Sequence, residues 1–378
     1  MNQLICTTCA SSYSLDDPRW RCDCGAILDI DFEPVFDLDR IAARKPTMWR
    51  YREALPLREE ANIVSLDEGF TPLIAIEIDG RSVWVKQDQL FSTGSYKDRG
   101  AAMLISKAVE VGIRRVVEDS SGNAGCAIAA YCARAGIECA VYVPQDTSAA
   151  KVAQMQWYGA DLHRVPGTRQ DTADAVLSAA ESTYYASHSW NPLFFQGTKT
   201  FAYEVCEQLG WRAPDVVILP AGNGTLLLGA FIGFGELVDA GVVERMPRLI
   251  AVQAENCAPL VHAFHGAPWD AAQATIAEGI AIVKPIRGAQ IVEAVRKSGG
   301  TFVAVSEDEI VRALREMAAR GFYIEPTSAA TIAGVRRALH LVTRDGIARE
   351  SIARDEVVVS VFTGHGLKAT EKMLKLAK

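Results

Sequence analysis

Short apolar, β-branched runs alternate along most of the chain with longer stretches whose apolar residues recur every three or four positions. The runs Ser82–Lys86, Arg115–Glu118, Glu138–Val143, Asp215–Leu219, Arg248–Gln253, Thr301–Val305 and Glu356–Phe362 predict strands. Helices are predicted over Lys97–Val111, Ala124–Ala135, Ala149–Tyr158, Asp171–Ser182, Thr198–Leu209, Gly288–Lys297, Glu307–Arg320 and Ser328–Leu341. This alternation predicts an α/β fold with mostly parallel sheets covered on both faces. Ligands in such folds sit in the loops beyond the carboxyl ends of strands. Residues 26–60 follow neither period and read as a connecting arm.

Composition narrows the class. The chain has 378 residues, 49% apolar and 22% charged, which is globular and long enough for two or three domains. A net charge of −7 without an obvious basic patch argues against nucleic acid as a partner. Val216–Gly235 carries no charge, but Pro220, Asn223 and its glycines suit a strand, a tight loop and a buried helix better than a membrane span. The first residues show no secretory pattern, so a cytoplasmic, reducing setting is expected.

Four of the nine cysteines lie at the start, as Cys6-Thr-Thr-Cys9 and Cys22-Asp-Cys24. Two close pairs across a hairpin-length spacer can surround one structural zinc; two disulfides or idle thiols are the alternatives. The remaining cysteines sit among apolar neighbours and read as core.

Four loops carry candidate chemistry. Ser92-Thr-Gly-Ser-Tyr-Lys-Asp-Arg-Gly100 opens a helix with Lys97 in its first turn, where the dipole disfavours an ammonium. An imine to a carbonyl cofactor would neutralise it; a solvated lysine capped by Asp98 is the other reading. Asp119-Ser-Ser-Gly-Asn-Ala-Gly125 offers Ser120, Ser121 and Gly122 at a helix start, where a carboxylate fits, though an ordinary helix cap would look alike. Pro220-Ala-Gly-Asn-Gly-Thr225 lacks the lysine of a nucleotide loop and could cradle one phosphate. Val361-Phe-Thr-Gly-His-Gly366 places Thr363 at a strand end, with His365 read as structural. Together these are the parts a pyridoxal phosphate enzyme needs.

The sequence resembles the fold-type II pyridoxal phosphate enzymes, in their threonine-synthase-like branch, from about Asp67 to Lys368. The anchors are Glu68-Gly-Phe-Thr-Pro-Leu73, Thr93-Gly-Ser-Tyr-Lys-Asp-Arg-Gly100, Ser120-Ser-Gly-Asn123, Gly222-Asn-Gly-Thr225, Glu325-Pro-Thr-Ser-Ala-Ala330 and Thr363-Gly-His-Gly-Leu-Lys368. Similar proteins also carry an N-terminal cysteine ribbon. The resemblance implies that Lys97 forms the cofactor imine and moves protons, and that Asn123 bonds the ring hydroxyl. Gly222, Asn223, Gly224 and Thr225 would hold the phosphate. Thr363 would meet the pyridine nitrogen and, as a neutral hydroxyl, leave it largely unprotonated. Ser120, Ser121, Gly122 and Lys199 would bind an amino-acid substrate, and Cys6, Cys9, Cys22 and Cys24 a zinc ion.

Two positions depart from the pattern. Phe194 stands where an arginine that binds substrate phosphate is expected, and Ala124 where threonine is common. The expected activity is an elimination and replacement on an amino acid, with O-phosphohomoserine to threonine as the leading reaction. A β-elimination or β-replacement enzyme, of serine/threonine ammonia-lyase type or a synthase, is the alternative; a silent binding protein with this fold is a lesser one. The expected plan is a ribbon and arm over 1–45, a large cofactor-binding domain of 46–99 plus 201–378, and a small substrate-closing domain of 100–200. A homodimer is suggested by the resemblance alone.

Overall fold

The computed structural model describes residues 2–341 and 352–376. Contacts divide the chain into two compact units, Met1–Phe70 with Phe91–Thr200 and Thr71–Leu90 with Phe201–Lys378. Residues 46–70 and 91–99 thus cluster with the first unit, although the sequence suggested the larger part. The cause is visible: Val64 N–H donates to Ser106 Oγ (2.9 Å), and Tyr131 Oη donates to Glu68 Oε2 (2.9 Å).

Strands β1 (Gln3–Cys6), β2 (Ser12–Ser14) and β3 (Leu28–Asp31) form a small antiparallel sheet in the order β2-β1-β3. Its core is Leu4, Cys6, Cys22 and Leu28. The supposed arm is packed rather than extended: Met48, Trp49, Arg50 and Tyr51 are all buried. The hairpin β4 (Leu73–Ile78) and β5 (Arg81–Lys86) follows, in the second unit. Its turn is Asp79-Gly80, both left-handed (φ +49° and +74°), the Asp-Gly signal for a tight hairpin.

The main sheet of the first unit holds β6 (Arg115–Glu118), β7 (Glu138–Pro144), β8 (Asp161–Val165) and β9 (Tyr184–Tyr185). Its order is β8-β7-β6-β9, parallel throughout. The second unit adds β10 (Val216–Pro220), β11 (Arg248–Ala254), β12 (Thr301–Val305) and β13 (Val358–Val361). Its order is β12-β11-β10-β13-β5-β4, with only the β4–β5 pair antiparallel. Every residue of β10 and β13 is buried, as continuous apolar runs covered on both faces demand.

The helix predicted over Thr198–Leu209 is observed, and a further helix stands before it. Pro192–Thr198 precedes Thr200–Gln208, with Pro192 in the first turn and Asn191 Oδ1 accepting from Leu193 N–H (3.1 Å). The uncharged Val216–Gly235 stretch resolves into β10, a glycine turn and the helix Thr225–Asp239. Among the described residues no helix is long and apolar enough to cross a membrane.

Candidate active site

In the first unit, Lys97 is the first residue of the helix Lys97–Glu110. Its Nζ lies 4.8 Å from the ring centre of Tyr96 and 5.6 Å from that of Phe194. The approach to it is fixed by Asp98, buried, whose carboxylate takes the Thr93 N–H (3.0 Å) and the Thr93 hydroxyl. Arg99 is fully buried, donates to Thr200 Oγ1 (3.0 Å) and stacks over Phe91 (4.9 Å). The Lys97 and Pro192 helices meet through two glycines. A Cβ at Gly100 would stand 2.3 Å from the Phe194 ring, and one at Gly197 would stand 2.0 Å from the Arg99 carbonyl. Phe194 therefore occupies space that only a missing side chain leaves open. Ser95 Oγ, fully buried two residues before Lys97, has no hydrogen-bond partner among the described residues. A buried hydroxyl left so is costly unless a ligand completes it.

The second loop of this unit follows β6. Asn123 begins the helix Asn123–Ala135, and Ser120 Oγ accepts from Gly122 N–H (3.3 Å). A Cβ at Gly125 would lie 1.9 Å from the Ser120 carbonyl, so the turn closes only on glycine. Tyr185 Oη donates to Asp119 Oδ1 (2.9 Å), and His188 Nδ1 lies 2.8 Å from Glu118 Oε1. His188 also meets the Phe194 ring edge-on, 6.1 Å between centres. Nothing local along the chain signals this Glu118–His188 pair, because 70 residues separate its members. Lys199, expected at the substrate, is fully buried with Nζ 5.3 Å from the Phe32 ring centre.

In the second unit the two predicted elements lie at the carboxyl ends of neighbouring strands, β10 and β13. Gly224 caps the helix Thr225–Asp239 at φ +69°, and a Cβ there would stand 2.3 Å from Ile291 Cδ1. Thr225 is almost wholly buried at the head of that 15-residue helix, whose dipole favours an anion. Thr363 Oγ1 donates to Glu325 Oε1 (3.1 Å) and lies 2.9 Å from Ser328 Oγ. Ser328 Oγ accepts the N–H groups of Thr363 (2.8 Å) and Gly364 (3.1 Å), and its own proton reaches the Gly364 carbonyl (3.4 Å) or Thr363 Oγ1. Gly364 is needed because a Cβ would fall 2.4 Å from the Glu325 carboxyl carbon. His365 accepts from Leu367 N–H (3.2 Å) through Nδ1 and caps the next turn, a structural role.

The sequence matches the family of pyridoxal-phosphate dependent enzymes over residues 64–364. The chain belongs to that family. It is 36% identical to the threonine synthase of Methanocaldococcus jannaschii, covering 99% of this chain and 94% of that protein. Identity to the threonine synthase of Methanosarcina acetivorans is 33%, over 100% and 95%, and to that of Mycobacterium tuberculosis 38%, over 86% and 89%. Among solved structures, an aspartate racemase superposes with a TM-score of 0.65 at 24% identity, covering 78% of this chain and 90% of that one. Maize serine racemase gives 0.66 at 20%, over 81% and 93%. These last two show the fold alone.

The protein is thus a threonine-synthase-like pyridoxal phosphate enzyme, and its own residues fit that cofactor. Gly224 has the backbone of an anion cradle, Ser95 is a buried hydroxyl awaiting a partner, and Lys97 stands beside two aromatic rings.

The four cysteines also fit a metal. Their sulfurs lie within 4.8 Å of one another, with Cys6–Cys24 at 3.6 Å and Cys9–Cys22 at 3.5 Å. A tetrahedral zinc with bonds of about 2.3 Å sets sulfurs about 3.8 Å apart, whereas a disulfide needs about 2.05 Å. The N–H groups of Thr8 and Cys9 both point at Cys6 Sγ, 3.4 Å away. Hydrogen bonds from Ser11, then Cys6 and Cys22, pull the Cys9 thiol down to about 6. Cys24, despite the Ala26 N–H, is pushed up to about 12 by the Cys22 and Cys6 sulfurs. Thiols crowded this closely cannot all ionise without a cation among them.

Proposed function

We propose that Lys97 anchors pyridoxal phosphate and moves the substrate α-proton, that Asn123 bonds the ring hydroxyl, and that Gly222, Asn223, Gly224 and Thr225 hold the phosphate. Ser120, Ser121 and Gly122 take the α-carboxylate of an amino-acid substrate. When bound, the cofactor supplies the electron sink. Thr363 meets the pyridine nitrogen, and its hydrogen bonding suggests a second state besides an unprotonated ring. Its hydroxyl proton goes to Glu325, so it offers outward a lone pair backed by a carboxylate. Such an acceptor suits a protonated nitrogen.

The reaction we propose is O-phosphohomoserine to threonine, supported by relatives of that name over nearly the whole chain. One observation favours a second reading. Phe194 is fully buried beside Lys97, and the neighbouring cations Arg99 and Lys199 are turned to Thr200 and Phe32. An aromatic ring has no donor for a phosphate dianion. The second reading is therefore β-elimination or β-replacement on an amino acid whose leaving group is not phosphate. Incubating the holoenzyme with O-phosphohomoserine, L-serine and L-threonine decides between them. Phosphate and threonine appear under the first reading; under the second, without phosphate release, either 2-oxo acid and ammonia (elimination) or, with an added thiol, the exchanged amino acid (replacement). None of these products from any substrate would remove both. A cytoplasmic location and a homodimer belong to the same reading and rest on family resemblance; light scattering tests the latter.

A further inference from the structure

The ribbon that carries the four cysteines is not a free appendage. Trp20 lies between the two cysteine pairs, and its indole is only 6% exposed. It leaves the ribbon to join Val117, Ala140, Val176, Ala180 and Tyr185 in the core beside β6 and β9. There it meets Tyr185 edge-on (5.1 Å between centres, 85°) and Trp190 likewise (5.4 Å, 86°). Each of those rings leads to the candidate site. Tyr185 donates to Asp119, the residue before Ser120. Burial, then the Asp119 and Glu118 charges, holds the Tyr185 phenol well above its ordinary range, so it stays the donor. Trp190 precedes Asn191, which caps the helix carrying Phe194. Asp16, accepting from Lys107 Nζ (3.1 Å), and Phe32, under the Lys199 ammonium (5.3 Å), fix the ribbon at two further points.

We infer that the cysteine ribbon positions the Ser120–Asn123 loop, and that Trp20 is the positioning residue through which it does so. The inference rests on the assignment of that loop to the substrate carboxylate. Its physical basis is size. Strands of four, three and four residues around a core of Leu4, Cys6, Cys22 and Leu28 cannot hold a shape without a cross-link. A metal on Cys22 therefore fixes Trp20 two residues away. A fixed Trp20 holds Tyr185 against Asp119 from one side and Trp190 from the other. Without the metal the indole keeps only its contacts in the core, and Tyr185 is held less firmly against the loop's first residue.

The test uses the full-length, cofactor-loaded enzyme, with metal analysis expected to find about one zinc per chain. L-threonine and L-serine are titrated while the visible absorbance of the cofactor is followed, giving an apparent Kd. Trp20→Ala should raise that Kd about tenfold, within the range for groups supporting a ligand from behind, while the absorbance before titration stays unchanged. Trp20→Phe should stay within about twofold, and Tyr185→Phe should raise the Kd about threefold. Chelating the metal from the wild type should match Trp20→Ala, and chelating the variant should add nothing, since both act on one path. Unchanged Kd in Trp20→Ala and in chelated wild type would overturn the inference, as would two losses that multiply. Should Trp20→Ala not fold, Tyr185→Phe and chelation carry the same decision. Gly125→Ala separates the premises: if it weakens binding and Trp20→Ala does not, the ribbon inference alone fails. If it has no effect, or the wild type answers neither amino acid, the loop assignment fails too.

Discussion

The loops at β10 and β13 and the loop at β6 are built from different materials. In the second unit the cradle is backbone: a left-handed Gly224, a helix start at Thr225, and strands with every residue buried beneath them. In the first unit the β6 loop is ringed by side chains, with Tyr185 on Asp119, His188 on Glu118 and Phe194 filling the gap at Gly100. A backbone site changes only if the fold changes. A side-chain site can be altered one residue at a time, and Phe194 and Ala124 are where the sequence departs from the expected pattern. On the proposed roles, the cofactor side is thus set by the fold and the substrate side by individual side chains.

The largest effect should come from the proposed cofactor anchor. Lys97→Ala should lower kcat by at least about a thousandfold and abolish the borohydride-reducible visible absorbance of the wild type. A variant that keeps both would place the anchor elsewhere.

Two glycines then separate the halves. Gly224→Ala forces a side chain into a left-handed position against Ile291, and should weaken cofactor affinity about tenfold or more. Gly100→Ala meets Phe194 instead; by displacing that ring it should alter KM for the amino acid about tenfold and leave cofactor affinity nearly unchanged. Equilibrium dialysis and initial rates measure the two. Equal cofactor losses would erase the contrast.

A smaller effect sharpens the cofactor side. Glu325→Gln removes the charge behind Thr363, so a protonated ring nitrogen loses support and its pKa falls. The pH at which the visible band titrates should move down, with kcat reduced about tenfold. A band that titrates as in the wild type would mean that Glu325 serves only packing.

The smallest prediction is confined to stability. Burial works against the Glu309 carboxylate, but Arg337 and the Ser306 cap hold it down to about 2, from 4.5. Because the folded value is the lower one, the contribution is complete above pH 4.5 and drains as pH falls toward about 2. Acid denaturation of Glu309→Gln should be flatter across that window. An identical acid limb would show that Arg337 is solvated in solution.

Much of this was legible in the sequence where chemistry and periodicity coincide. Arg115–Glu118 and Thr301–Val305 are strands over the predicted residues, and the Gly222–Thr225 turn stands between strand and helix as read. The hairpin at β4 was missed although Asp79-Gly80 announces it, because Leu73–Ile78 alternates too weakly to stand out. The helix Pro192–Thr198 was missed although Asn191-Pro192 marks its start. Glu118–His188, Thr363–Glu325 and Trp20–Tyr185 carry no local signal at all, since tertiary packing alone brings them together. The ribbon was legible as a metal site, but not as a support for the substrate loop.

That the substrate side is set by individual side chains, Phe194 among them, is the central claim, and Phe194 tests it most directly. The measurement is the ratio of kcat/KM for O-phosphohomoserine to that for L-serine, in wild type and in Phe194→Arg, both shown to be folded and cofactor-loaded. Restoring a charge-assisted donor should raise the ratio at least about tenfold in the variant, with the visible absorbance unchanged. A ratio that does not rise would show that residue 194 does not face the leaving group, and would contradict the account.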